Sequence, residues 1–346
     1  MSGLLVLHRV WRASFFALAC GGLFAAPTSA DDSTAQLGAG GLLFTKADSI
    51  RMASEDLYLS PKAVRIRYGF VNDGPNDVKT IVAFPLPDID SYEFYGEGIG
   101  TVQSDPVNFV GFRAIVDGKP VPVQVEQRAF YKGRDVTAQV KAAGLPVNVL
   151  LAGNSDLIAR LPKDRIAALI KADLIEDEGA EGDHSYAAKW LVRTKFWWTQ
   201  DFPAGKTVII EHSYKPVTGQ AFFTETDLNA TPGTQDDYWK KTYCMDQGTL
   251  AQLARQLAAQ KKSNTMDGMM SASSTDFILR TANNWKGGIG HFHLTIDKLS
   301  PGNTLSLCHF DDIRKTGPTT FEVTRENFAP ADDIRVVVLS TRPVPF

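Results

Sequence analysis

Cysteine is nearly absent from this chain of 346 residues, which carries three, at positions 20, 244 and 308. So few exclude the dense disulfide framework of small secreted domains and any zinc site built on paired Cys-x-x-Cys motifs. A basic excess is missing too. Lys and Arg number 36 against 39 Asp and Glu, a formal charge of −3, so the electrostatic footprint of a nucleic-acid binder is lacking. Beyond the first thirty residues no stretch approaches the roughly eighteen uninterrupted apolar residues of a membrane-spanning helix. Enzyme signatures are missing as well: there is no G-x-S-x-G, no H-E-x-x-H, no Walker loop, and no G-x-G-x-x-G opening a helix after a strand. No repeat of fixed period is evident. What remains is 44% hydrophobic and 10% aromatic, enough to build a substantial core and too apolar for a disordered chain.

The first thirty residues stand apart. Arg9 and Arg12 precede an apolar run over 13–26, about fourteen residues long, and Thr28-Ser29-Ala30 offers small residues for cleavage before Asp31. This pattern reads as a secretory signal peptide over 1–30, too short in its apolar part to span a bilayer. Cys20 after Ala19 raises lipoprotein anchoring as an alternative, although Ala17 stands where such signals usually carry Leu. Removal of 1–30 takes away two basic residues and leaves 34 against 39 acidic, a charge of −5. The mature protein is then expected to be periplasmic or secreted, without a membrane span. There the two remaining cysteines, Cys244 and Cys308, are expected to pair, which by loop-closure entropy stabilises the fold by roughly 4 kcal/mol.

From Asp31 onward the pattern is that of strands. Over 63–71, Val64, Ile66, Tyr68 and Phe70 alternate with Arg65 and Arg67, the signature of a half-buried strand. A turn at 72–77 and a second apolar strand over 78–84, ended by Pro85 and Pro87, predict a hairpin over about 64–84. A second hairpin is predicted over 109–125, around Asp117-Gly118. Periodicity then changes: 134–143 and 161–175 read as helices, followed by an acidic linker at 176–183 without the ligand spacing of a calcium loop. Strand patterns return at 187–199, 206–214, 277–279, 290–297, 304–310, 319–323 and 334–339, interrupted by a helix near 249–262 with Leu250, Leu253 and Leu257 on one stripe. The expected fold is therefore mainly β, one or two packed sandwiches with a helical insertion and one later helix. Its expected parts are a signal peptide 1–30, a sandwich-like region 31–133, the insertion and acidic linker 134–186, and a β-rich region 187–346.

Three groups of residues invite a chemical reading. His291 and His293 lie two apart on a strand and share one face with Thr295 and Asp297. With Asp297, or with His309 from a neighbouring strand, they could hold zinc or copper; the competing reading is an exposed polar face over a core of Phe292, Leu294 and Ile296. Trp190, Trp197 and Trp198 could stack on a sugar ring, against the plainer reading that they pack the core; Trp197 and Trp198 must point to opposite faces. Asp88 and Asp90, beside Tyr92 and Glu93, could form a carboxylate pair for glycoside hydrolysis, although Pro87 places them in a surface loop. Two further juxtapositions are disfavoured as dyads, because neighbours on a strand diverge: Cys308 with His309, and Glu211 with His212.

The runs Ala35-Gln36-Leu37-Gly38-Ala39-Gly40-Gly41-Leu42, Ser54-Glu55-Asp56-Leu57-Tyr58-Leu59-Ser60, Val82-Ala83-Phe84-Pro85-Leu86-Pro87-Asp88-Ile89 and Phe202-Pro203-Ala204-Gly205 with Glu211-His212-Ser213-Tyr214 carry a resemblance. Together they resemble an exported proteobacterial family known as domain of unknown function four-four-two-four. The likeness extends through Tyr243-Cys244 and Leu307-Cys308 and implies an envelope location with no catalytic assignment. A fainter likeness of 64–130 is to the β-sandwich domain of inter-alpha-trypsin inhibitor heavy chains and vault proteins. The functional expectation is a non-catalytic binding or structural module of the cell envelope, with no cofactor and with an envelope protein or glycan as partner. The alternative is a metal-dependent or carboxylate-based hydrolase acting on an envelope glycan.

Overall fold

Alternation of apolar and polar side chains builds most of this molecule, and the places where it breaks decide the topology. The structure, a computed structural model, describes residues 33–38, 41–95, 105–150, 157–180, 183–234, 237–263 and 268–342. The signal-peptide reading of 1–30 and the lipoprotein alternative at Cys20 lie outside the described residues.

A large sheet of eight strands runs in the order 314–315, 320–328, 289–297, 50–60, 63–72, 207–214, 113–116 and 119–121. Facing it is a second sheet in the order 134–135, 124–131, 191–202, 78–85, 33–38 and 41–45, with 89–90 beside 191–202. Among the described strands every strand-to-strand ladder is antiparallel except that of Ile289–Asp297 with Ile50–Ser60, two strands far apart in the chain. The inward faces of the two sheets form one continuous core around Tyr68, Phe70, Phe84, Phe112, Trp190, Phe196, Phe202 and Phe292. The mainly β, sandwich-like expectation therefore holds.

The hairpin predicted over 64–84 does not form. Ala63–Asn72 pairs with Ile50–Ser60 and Thr207–Tyr214 in the large sheet, while Val78–Pro85 pairs with Leu191–Phe202 and Ser33–Gly38 in the second. The 72–77 turn is an arch between sheets. Asn72, fully buried, holds it there: its amide donates to the carbonyls of Asn76 (2.8 Å) and Phe202 (2.9 Å) and its oxygen accepts from the Gly74 amide. The second predicted hairpin is shorter than expected, since Arg113–Val116 pairs with Lys119–Val121 while Gln124–Tyr131 crosses to the other sheet.

Strand Ile50–Ser60 hides its own pattern. A bulge between Met52 and Ser54 shifts the phase, so that Ile50 and Met52 face inward before it and Glu55, Leu57 and Leu59 after it. Glycines sit on both sides of the bulge because there is no room for a side chain. A Cβ on Gly69 would lie 2.7 Å from Ser54 Oγ, and one on Gly290 would lie 2.6 Å from the Ala53 carbonyl oxygen.

A third sheet, smaller, runs Gly219–Phe223, Met270–Phe277, Ile334–Ser340 and Thr304–Leu307. Phe277, Ile334, Val336 and Val338 on one face join the main core, whereas Met270, Ala272, Val337 and Leu339 on the other pack under Leu253 and Leu257 of helix Gln247–Ser263 and under Trp239 and Tyr243. Burial on both faces explains the unbroken apolar run Val336-Val337-Val338-Leu339. The disulfide Cys244–Cys308, with Cα atoms 5.1 Å apart, ties the end of the short helix Tyr238–Thr242 to the segment just after strand Thr304–Leu307. The helices of the insertion are shorter than the pattern predicted, Thr137–Ala142 and Lys163–Lys171. The later helix, Gln247–Ser263, is slightly longer.

Candidate functional site

The residues singled out for metal binding stay on their expected face but do not converge. Phe292, Leu294 and Ile296 are fully buried, and His291 and His293 lie on the outer side of the large sheet. Each imidazole is paired with a carboxylate: His291 Nδ1 is 2.5 Å from Glu326 Oε1, and His293 Nδ1 is 3.0 Å from Asp56 Oδ1, with Glu322 at 3.9 Å on its other side. Asp297 instead accepts from the Tyr58 hydroxyl and the Leu299 amide. His309 stands 3.7 Å from Asp332, on a residue with φ of 67°. Among the described residues no group of three or more His, Cys, Asp or Glu is placed to hold a metal ion.

The tryptophans belong to the core. Trp190 is fully buried and donates its indole N–H to the Val147 carbonyl (2.8 Å), so the insertion lies over it. Trp198 is 3% exposed and donates to Gln200 Oε1. Trp197, on the opposite face as strand geometry requires, packs beneath the hairpin formed by strands Ser33–Gly38 and Gly41–Thr45, with Ala35, Leu42 and Ala83. Glu211 likewise faces outward, near Arg67, while His212 points inward. The His212 ring is surrounded by Tyr68, Phe84, Phe112 and Trp198, all with ring centroids within 5.5 Å. Burial pushes its pKa down to about 3, so it is neutral at ordinary pH.

A cleft of ≈ 190 Å³ opens where the three sheets meet. One wall is the segment after Pro85, with Leu86, Asp88, Asp90, Glu93 and Phe94; the second is Tyr214 with Pro216 and Val217; the third is Ser274 and Asp276 of the small sheet, with Tyr238 and Tyr243 of the short helix and its C-cap. The loop is shaped locally, because Asp90 Oδ1 accepts from the amides of Tyr92 (2.9 Å) and Glu93 (3.3 Å). Close approach is built in at Gly219, where a Cβ would lie 2.6 Å from Ser274 Oγ and 3.7 Å from the Phe94 ring. Arg193 neutralises Asp88 through a bidentate contact of 3.0 and 2.7 Å, a geometry that fixes both groups.

The electrostatics of this cleft depart from those of an open surface. Asp276 reaches solvent, yet protein mass surrounds its carboxyl group within the concavity. That desolvation, opposed by Arg335 and reinforced by Asp333 and Glu93, pushes its pKa up to about 6. Burial raises the Tyr243 hydroxyl well above the usual phenol range, with Asp276 adding to the effect. Burial and Glu93 raise that of Tyr238 as well. Among the described residues, no histidine, lysine, arginine or cysteine lines the cleft. Its described lining offers aromatic faces, hydroxyls and carboxylates.

Three cleft residues, Asp88, Asp90 and Glu93, belong to the segment in which the sequence suggested a carboxylate pair. Tyr214, Tyr238, Tyr243 and Asp276 carried no signal, since they come from three remote segments.

Comparison with known proteins adds a family. The model described as Domain of unknown function (DUF4424) matches residues 30–337. No curated protein matches. A solved structure from Legionella pneumophila, described provisionally as a nutrient binding protein, aligns over 90% of this chain and 70% of its own at 14% identity, with a TM-score of 0.42. The fainter likeness of 64–130 to the inter-alpha-trypsin inhibitor and vault sandwich finds no support. That segment is no self-contained sandwich, because its strands pair with 33–38, 50–60, 191–202 and 207–214.

Proposed function

Since the chain belongs to the DUF4424 family, whose function is unknown, no activity comes with the fold, and we propose that the protein is an exported, non-catalytic binding module of the cell envelope whose ligand seats in the cleft between the three sheets. The observation that carries this reading is the cleft itself. It is concave, apolar on one side and set with a few convergent polar groups, among them a carboxylate displaced from its ordinary pKa, which is the usual make-up of a ligand site. Export is supported by the signal-like residues 1–30 and by the Cys244–Cys308 disulfide, which suits an oxidising compartment. No helix among the described residues is long and apolar enough to cross a membrane.

The hydrolase alternative has less behind it. Asp88 is occupied by Arg193, and the imidazoles proposed for metal binding lie on the outer face of the large sheet, each engaged by its own carboxylate.

Thermal unfolding in the presence of a panel of small metabolites tests the binding reading. A ligand at about 100 times its Kd stabilises by about 2.7 kcal/mol. At least one compound is expected to raise the midpoint of the wild type and to lose that effect in Tyr238→Ala. A panel without any shift, or equal shifts in both proteins, overturns it. For the location, cell fractionation with thiol alkylation is expected to find the protein in the envelope fraction with Cys244 and Cys308 protected.

A further inference from the structure

The carboxylates around the cleft are already engaged. Asp88 is gripped by Arg193 at 3.0 and 2.7 Å. Asp276 stands directly across the strand pair from Arg335, whose positive charge stabilises its carboxylate through space. Asp333 does not take that arginine away, because Arg280 holds it through contacts of 3.0 and 2.7 Å. Asp90 accepts the amides of Tyr92 and Glu93, and Glu93 has an interaction of its own. A cation entering here therefore finds no carboxylate in want of a counter-charge. An anion fares no better, since among the described residues no basic side chain lines the cleft. A neutral ligand remains.

Hydrogen-bonding capacity narrows it further, because a compensated charge is not a filled acceptor. The two oxygens of a carboxylate can take about four hydrogen bonds, and they only accept. Both amides on Asp90 go to Oδ1, which leaves Oδ2, and Asp276 feels Arg335 without a hydrogen bond from it. On the opposite wall the hydroxyls of Ser274, Tyr243 and Tyr238 are hydrogen-bonded in a row, and hydroxyls both give and take. The ligand that fits must bring several donors without charge, which is the property of a polyhydroxyl compound. Beside these polar groups stand Tyr238, half of it exposed, and Phe94, whose rings call for an apolar surface against them. A sugar ring combines the two, with hydroxyls around its rim and C–H groups on its face. At ≈ 190 Å³ the cleft is smaller than the roughly 300–1,000 Å³ of sites for drug-sized ligands, so it takes one ring.

Resting on the reading of this cleft as the ligand site, we propose that its ligand is a single neutral sugar ring, whose hydroxyls donate to Asp276 and Asp90 and whose C–H face lies against Tyr238 and Phe94.

The test uses the disulfide-intact protein with glucose, galactose and mannose as probes and with cyclohexanol, cyclohexylamine and glucuronate as controls for the ring alone, a cation and an anion. Binding is followed by calorimetry and by NMR shifts of cleft residues. At least one hexose is expected to bind at least tenfold more tightly than any control. Asp276→Ala is expected to weaken that hexose at least tenfold, with Asp90→Asn, which keeps an oxygen for the loop amides, acting in the same direction as a second, independent variant. Methyl glycosides then identify the source: retained affinity supports the end of a glycan chain and lost affinity a free monosaccharide. If a control binds in the cleft as tightly as the best hexose, the sugar assignment falls while the cleft remains the ligand site. If no probe or control shifts cleft residues, the reading of the cleft falls with it. A hexose affinity unchanged in both variants also overturns the assignment.

Discussion

His212 shows how one residue can tie stability to pH. Its ring is enclosed by Tyr68, Phe84, Phe112 and Trp198, and burial holds its pKa near about 3, against 6.5 for a free histidine. Because the folded pKa is depressed, the unfolded chain takes up the proton first as pH falls. The stability this neutral histidine contributes is complete above pH 6.5 and is lost progressively toward pH 3, at ~1.4 kcal/mol per pH unit. Asp276 acts in the opposite sense, since its raised pKa favours the folded state as pH falls from about 6 toward the usual carboxylate value; being exposed, it offsets the loss only in part. Chemical denaturation between pH 7 and 4 is expected to show declining stability, and His212→Leu is expected to flatten that decline. An equal slope in the variant would assign the decline to other groups. That His212 faces inward was legible from strand alternation; that it would meet four aromatic rings was not, because those rings arrive from four different strands and loops.

At the scale of elements, the bulge at Met52–Ser54 yields a graded expectation. Gly290→Ala drives a methyl against the Ala53 carbonyl, which cannot move without breaking the sheet, and is expected to cost about 1–3 kcal/mol. Gly69→Ala meets only the Ser54 hydroxyl, which can rotate, so its cost is expected to be smaller and to be relieved by Ser54→Ala. Urea midpoints of the two glycine variants and the double variant check this order. The same bulge explains why Ile50–Ser60 gave no strand signal: a period-two pattern that changes phase midway looks irregular, whereas the unbroken alternation of Ala63–Asn72 and Ile289–Asp297 was readable at once. The helix Tyr238–Thr242 is too short for periodicity to reveal. It is held by the Cys244–Cys308 bridge and by Ser306 Oγ, which donates to the Tyr243 carbonyl (2.8 Å). Replacing both cysteines by serine is expected to lower stability by about 2–4 kcal/mol. Hydrogen exchange should show the loosening concentrated in 238–245 rather than in the main sandwich.

For the molecule as a whole, pairings between distant segments outweigh those between neighbours. Strands on either side of the insertion share both large sheets: 191–202 lies between 124–131 and 78–85, and 207–214 lies between 63–72 and 113–116. Residues 31–133 expressed alone are therefore expected not to fold, giving a circular dichroism spectrum without a cooperative thermal transition, whereas the full chain melts with one. A cooperative transition in the fragment would contradict this. The mainly β class and the cysteine pairing were readable from composition and local pattern. The arch at Asn72 was not, because a turn between strands of one sheet and a turn between two sheets use the same residues, and only partners more than a hundred positions away distinguish them.

The parallel pairing of Ile289–Asp297 with Ile50–Ser60 also sets an order in time. A ribosome moving at about 5–20 residues per second makes the second strand on the order of tens of seconds after the first. Through that interval Ile50–Ser60 has one neighbour, Ala63–Asn72, and a bare row of backbone donors and acceptors along its other side. Nascent chains interrupted before residue 289 carry that open edge indefinitely, and a bare edge is where chains stick to one another. Arrival of Ile289–Asp297 passes the open edge to that strand, and Thr320–Phe328, made about thirty residues later, covers it in turn.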